Sequence, residues 1–212
     1  MRYDPIGILG GTFDPVHHGH LRLALEARER LELSHVRLIP VGMPPHRLPP
    51  RADGRMRLRM LEAAVRGEAG LVADERELRQ GGVSYTVETL EALRRRFSGG
   101  AFCLILGMDA FCCLDSWHRW ERLLALAHIV VARRPGAALP AQGVVAHLLA
   151  ERETEDPADL RQEPAGRIIG LCVPQLEISS TDVRARATCG ASIRYLVPDP
   201  VLEIIAHEQL YV

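Results

Sequence analysis

The chain of 212 residues contains no lysine; all 26 of its basic residues are arginine. That absence excludes Schiff-base chemistry on a lysine amine and the lysine of a P-loop. Arginine, histidine or a bound metal ion must supply any positive charge toward an anionic ligand. The net charge is only -1, which argues against a global basic field for nucleic acid or an anionic membrane. No apolar run approaches the roughly 20 residues of a bilayer span. Residues 1–5 lead straight into the first apolar run, so no secretory leader is expected and the cytoplasm is the expected compartment. Five cysteines, at positions 103, 112, 113, 172 and 189, form an odd set without C-x-x-C spacing. Neither a disulfide framework nor a zinc site is indicated, and buried, reduced thiols are expected.

Hydrophobic residues make up 47% of the chain and charged residues 25%, the balance of a globular protein large enough to bury a substantial core. Apolar runs at 5–9, 35–40, 70–73, 101–106, 128–132 and 167–173 read as strands. Between them, helical periodicity covers 19–32, 54–66, 86–97, 109–125, 144–151, 181–188 and 199–208. This alternation predicts an α/β fold, a doubly wound parallel sheet built by right-handed crossovers with ligands at the carboxyl ends of its strands. A single domain over 1–212 is expected, its residues 179–212 forming a small C-terminal helical tail. Residues 135–166 read as an irregular surface excursion around one short helix. Arg94, Arg95 and Arg96 read as a solvated helix end favoured by the dipole. His118 and His128 read as structural, and Trp120 as core.

Residues 10–20 carry the most information: Gly-Gly-Thr-Phe-Asp-Pro-Val-His-His-Gly-His, directly after the first strand. A strand ends in a glycine pair, and a turn delivers His17-x-Gly19-His20 to the start of a helix. Unpaired backbone N–H groups and the positive dipole end make such a start a phosphate site. Gly10, Gly11 and Gly19 remove side chains where a polyanion must approach the backbone. His17 and His20 add donors that can grip a phosphate as its charge changes. The spacing is neither G-x-G-x-x-G nor G-x-x-x-x-G-K-[ST], so a dinucleotide-binding fingerprint and a P-loop are set aside.

This stretch resembles the signature of the nucleotidyltransferase superfamily with the H-x-G-H motif, and in particular its bacterial nicotinate mononucleotide adenylyltransferases. The superfamily's second motif stands late in the chain as Ile178-Ser179-Ser180-Thr181-Asp182-Val183-Arg184. Alone it is an ordinary capped helix start; beside the first motif it becomes a second phosphate-binding helix N-terminus with a cation. The lysine-rich loop of class I aminoacyl-tRNA synthetases, whose H-I-G-H is similar, has no counterpart here. Further matches to the branch are Pro44-Pro45-His46-Arg47, Ser84-Tyr85-Thr86, Gly107-Met108-Asp109 with Trp117, and Arg134-Pro135-Gly136.

The resemblance implies a Rossmann-like nucleotidyltransferase fold and adenylyl transfer from ATP to nicotinate mononucleotide, with both nucleotides as partners. It assigns His17 and His20 to the ATP phosphates, with Gly10, Gly11, Thr12, Phe13, Gly19 and Ile178 shaping the ATP pocket. Ser179, Ser180 and Arg184 would hold the leaving group, aided by Arg134. His46 and Arg47 would contact phosphate, and Tyr85 and Thr86 would present backbone amides to the nicotinate carboxylate. Asp109, beside Gly107, would accept from ribose hydroxyls, and Trp117 would stack on the pyridine ring. Mg2+ is expected on the ATP phosphates and water, without a dedicated protein cage. Rival readings are an adenylyltransferase for nicotinamide mononucleotide or phosphopantetheine, and a nucleotide-binding regulator without turnover. No nucleic-acid or membrane partner is expected, and the chain is expected as a monomer or small homo-oligomer.

Overall fold

The structure is a computed structural model that describes residues 3–44, 49–97, 99–134, 136, 140–174 and 176–212. The chain runs β1 (Pro5–Gly11), α1 (His18–Arg30), β2 (His35–Pro40), α2 (Gly54–Val65), β3 (Leu71–Ala73), α3 (Arg76–Gln80), α4 (Thr86–Arg96) and β4 (Ala101–Gly107). It continues through α5 (Met108–Cys112), α6 (Leu123–Leu126), β5 (His128–Arg133), α7 (Gly143–Arg152), β6 (Glu153–Thr154), β7 (Ile168–Cys172), α8 (Ser180–Thr188) and α9 (Asp199–His207). The strands form one sheet in the order β3-β2-β1-β4-β5-β7-β6, and every pair is parallel. Strand order reverses between β1 and β4. In a sheet wound both ways, that reversal opens a crevice at the carboxyl ends, and the candidate site lies there.

Strands buried on both faces need continuous apolar sequence. In β4, residues 101–106 are all buried. Cys103 and Ile105 pack on one face with Ala24 and Ala27 of α1, Met60 and Leu61 of α2, and Val201 and Ile205 of α9. Phe102, Leu104 and Leu106 pack on the other with Val87, Leu90 and Leu93 of α4 and Val145 and Leu149 of α7. Residues 179–212 pack against the sheet: Val183, Ile193, Val197 and Val201 are buried in the same core as α1.

Several expectations are corrected. The helix expected over 109–125 breaks after α5 into two short 3-10 turns, Leu114–Ser116 and Trp120–Arg122, before α6. Ser116 Oγ donates to the Cys113 carbonyl at 2.7 Å, Trp117 is extended, and Arg119 is left-handed at φ 52°. A local side-chain bond competes with the helix, while Phe111, Leu114, Leu123 and Leu126 still reach one core from separate turns. Trp120 is half-buried at its edge. Of the thiols expected to be buried, only Cys103 is; Cys112, Cys113 and Cys189 are exposed and Cys172 is intermediate. Arg94 is no solvated helix end. It donates to the carbonyls of Leu126 and Pro164 at 2.8 and 2.6 Å, and it lies 4.7 Å over the Phe102 ring.

The 135–166 stretch holds more order than expected. Besides α7 it includes the edge strand β6 and a 3-10 helix, Pro157–Arg161, that buries Leu160. Neither β6 nor α3 has enough residues to show a period.

Candidate active site

β1 delivers Gly11 to the crevice, and the turn that follows is held in an unusual backbone. Phe13 is left-handed at φ 49° with its ring 1% exposed. That conformation costs an L-residue about 1–2 kcal/mol and persists only where surroundings enforce it. A Cβ on Gly11 would come 3.0 Å from the Phe13 ring, and a Cβ on Gly19 would come 3.1 Å from the His17 ring. Both glycines thus let aromatic rings lie flat against the chain.

His17 caps α1 in extended backbone, and His20 occupies the first turn. Their rings stack at 3.7 Å and 26°, with the Phe13 ring edge-on to His20 at 4.9 Å. The His17 amide donates to His20 Nδ1 at 3.3 Å, which leaves the neutral His20 ring with its proton on Nε2. His17 Nδ1 is buried without a hydrogen-bond partner, a state that native structures rarely leave unfilled. Burial, and secondarily the neighbouring histidine charge, lowers His17 to about 4 and His20 to about 3. Both rings are neutral near pH 7 in the free protein.

α8 brings the second helix start to the same place. The Ser179 hydroxyl caps it by accepting from Asp182 N at 3.0 Å. The Ser180 hydroxyl donates to the Pro15 carbonyl at 2.9 Å, and Arg184 Nη1 donates to the Asp14 carbonyl at 2.6 Å. Arg184 Nη2 also reaches Thr181 Oγ1 at 3.2 Å. The helix is therefore stitched to the turn that feeds α1. Both serine hydroxyls are thus engaged, Ser179 as the cap of α8 and Ser180 in the joint, which leaves backbone amides at the start of α8 for a ligand.

Between the two helix starts lies a cavity of about 980 Å³. It is lined by Gly11, Thr12, Phe13, His17, Gly19, His20, Ile178, Ser179, Ser180 and Arg184, joined by Gly107 and Asp109 from the end of β4. Twelve of the expected site residues are brought together there. Gly10 is exposed and outside the lining. Arg134 is also outside it and is ion-paired to Glu177 at 2.9 Å. Tyr85 and Thr86 at the start of α4, and Trp117 after the 3-10 turn Leu114–Ser116, lie outside the cavity lining. Tyr85 and Trp117 are half-buried against the same core. His46 and Arg47 lie outside the described residues.

The two histidines expected to be structural part company. His128 is fully buried, with Nε2 at 2.9 Å from the Glu163 carbonyl and Nδ1 accepting from Arg167 N, a structural role as expected. His118 is exposed, and its ring lies 4.3 Å from Tyr85, so it is not a core histidine.

Sequence reading passed over Asp14 and Arg57. Asp14 is 2% exposed and accepts from the amides of Arg51 and Ala52 at 2.7 and 3.1 Å, and from the Tyr211 hydroxyl at 2.6 Å. Arg57, also 2% exposed, donates to the carbonyls of Thr12 and Val41 at 2.8 Å each. Burying these charges is tolerable only because such partners satisfy them. Arg57 stands three and four positions before the buried Met60 and Leu61, so the helical stripe was the signal that it points inward.

With this geometry described, comparison with known proteins gives a consistent answer. The cytidylyltransferase-like family matches residues 8–186. A probable nicotinate-nucleotide adenylyltransferase of Methylococcus capsulatus is 51% identical over 207 residues, covering 97% of this chain and 99% of the relative. One of the same name from Marinobacter nauticus is 47% identical, covering 96% and 95%. Among solved structures, a Plasmodium falciparum nicotinic acid mononucleotide adenylyltransferase complexed with NaAD superposes with a TM-score of 0.75. It covers 99% of this chain and 98% of its own; at 15% identity this shows the shared fold.

Proposed function

The chain belongs to the nicotinate-nucleotide adenylyltransferases of the cytidylyltransferase-like family, and from that premise we propose that it transfers AMP from ATP to nicotinate mononucleotide. The products are nicotinate adenine dinucleotide and pyrophosphate, which places the reaction in NAD biosynthesis. The observation that carries this reading is the pair of helix starts, α1 with His17 and His20 and α8 with Arg184, facing one cavity at the sheet's reversal point.

The acceptor's phosphate monoester has a second pKa of about 6, so near neutral pH it attacks without a general base. An oxygen of that phosphate forms a bond to the α-phosphorus of ATP as the bond to the β-phosphate oxygen breaks. The protein's work is in-line positioning and stabilisation of charge on the α-phosphate and the departing pyrophosphate. His20 Nε2–H and the His17 ring are neutral donors toward the transferred group. Arg184, with the start of α8, serves the pyrophosphate. Gly107 and Asp109 are the acceptor end of the same cavity, and Tyr85, Thr86 and Trp117 are the wall toward which its base extends.

The residues present fit a divalent cation that arrives with the nucleotide. Among the described residues no three His, Cys, Asp or Glu side chains converge as a metal cage, and the Asp14 carboxylate is already engaged by two amides and a hydroxyl. The cavity offers imidazole, guanidinium and amide donors, which complement phosphate oxygens. Mg2+ bound to those oxygens would supply charge neutralisation at the triphosphate. Among the described residues no helix is long and apolar enough to cross a membrane, in keeping with a cytoplasmic enzyme. The test follows label from ATP carrying 32P at the α-position. Label should move into a dinucleotide only when nicotinate mononucleotide is supplied, with one pyrophosphate released per transfer. Label remaining in ATP would refute the proposal.

A further inference from the structure

Tyr211 stands 197 positions from Asp14 in sequence, yet its hydroxyl donates to Asp14 Oδ1 at 2.6 Å. We infer that Tyr211 is a positioning residue for the transfer, setting Arg184 and the α1 turn through Asp14; this rests on the adenylyltransferase reading. Three observations carry it. First, Tyr211 is 7% exposed and left-handed at φ 66°, a conformation that a bulky L-residue keeps only when its surroundings over-determine it. Here they do: its carbonyl accepts from Thr188 Oγ1 at 2.7 Å while its hydroxyl reaches Asp14.

Second, Asp14 is the joint on which the site depends. Its carbonyl takes Arg184 Nη1 at 2.6 Å, and its carboxylate stands 3.9 Å from the same nitrogen. Pro15 beside it takes the Ser180 hydroxyl, and two residues on, His17 caps α1. A shift of Asp14 would therefore move both helix starts relative to each other. Third, Asp14 Oδ1 keeps a protein donor without Tyr211, since Ala52 N lies at 3.1 Å. Loss of the hydroxyl alone would loosen the carboxylate's orientation and leave it hydrogen-bonded. That is the signature of positioning, and it differs from a buried charge abandoned.

The chemistry makes such positioning matter. A displacement in line at phosphorus tolerates little misplacement of the cation that meets the leaving group, and an error near 1 Å can cost about 10²-fold. Tyr211 is not itself part of the cavity lining, and its hydroxyl meets that lining at Asp14. Its effect has to pass through Asp14.

The experiment uses Tyr211→Phe, which keeps the ring and removes only the hydroxyl. We expect kcat for dinucleotide formation to fall about 10-fold, with KM for ATP and for nicotinate mononucleotide within about 2-fold of wild type. Thermal unfolding should stay within about 5 °C of wild type. In an Arg184→Lys background the same change should cost less than about 2-fold, because coupled residues are not additive. Unchanged kcat in Tyr211→Phe, an additive loss in the double variant, or a variant that fails to fold would each overturn the inference. If wild type itself forms no dinucleotide, the adenylyltransferase reading fails instead, and the two failures are told apart by that control.

Discussion

Acidifying the free protein from pH 7 to pH 5 should destabilise it through His17 and His20. In the folded state burial holds these rings at about 4 and about 3, whereas an unfolded histidine titrates near 6.5. Below about pH 6.5 the unfolded chain therefore binds protons that the folded chain refuses. The sign follows: stability is full above that pH and is lost progressively as the pH falls toward the folded values. Each unit of displacement corresponds to about 1.4 kcal/mol, so between pH 7 and pH 5 each ring gives up about 2 kcal/mol. Urea unfolding of wild type, His17→Gln and His20→Gln at the two pH values measures this directly. Each variant should lose less stability on acidification than wild type, by about 2 kcal/mol, with some coupling because the rings touch. Variants with the wild-type pH dependence would refute the argument that these rings are held neutral by burial.

Three further outcomes follow from the site. His20→Ala should lower kcat by about 10²-fold or more with the fold intact, as for loss of one preorganised donor; near-normal steady-state turnover would remove His20 from the mechanism. Arg184→Lys should lower kcat/KM while leaving measurable turnover, because the guanidinium holds Asp14 and Thr181 through two nitrogens at once and a lysine amine has no such fork; wild-type kcat/KM in that variant would contradict it. Trp117→Ala should weaken nicotinate and nicotinamide mononucleotides alike while sparing ATP, as read by equilibrium binding of each ligand; a loss confined to ATP would place Trp117 elsewhere.

Much of this was legible in the sequence because it is local. Strands with unbroken apolar runs, such as 101–106 and 128–132, declare themselves buried on both faces, and their order along the chain implies a parallel sheet. The turn at 10–20 and the helix start at 178–184 are readable because glycine, histidine and serine have few other reasons to gather at such spacing. What escaped is non-local or short. The Asp14 to Tyr211 bond spans almost the whole chain, and no window of sequence contains both ends. The periodicity through 109–125 described which residues are buried, and it could not tell one helix from several turns reaching the same core. The expectation of burial for the thiols at 112, 113 and 189 rested on the general habit of cysteine, while their exposure is set by where α5 and α8 end. Ser179 and Ser180 line the cavity, yet their hydroxyls are engaged, that of Ser179 in capping α8 and that of Ser180 in joining α8 to the turn before α1.

In the proposed reaction this cavity takes a nucleoside triphosphate at two helix starts and an acidic pyridine mononucleotide beside Gly107 and Asp109. The most direct test is kcat/KM for pyrophosphate release from ATP with nicotinate mononucleotide, nicotinamide mononucleotide and phosphopantetheine in turn. Backbone amides at the start of α4, in their proposed role toward the base, would receive a carboxylate, whereas a carboxamide would turn its own N–H groups toward them. Such a mismatch costs about 1–3 kcal/mol per buried group, so nicotinate mononucleotide should be preferred by about tenfold to several-thousandfold over the amide. Phosphopantetheine should give no turnover. Equal efficiency with the two pyridine mononucleotides, or turnover with phosphopantetheine alone, would contradict the account.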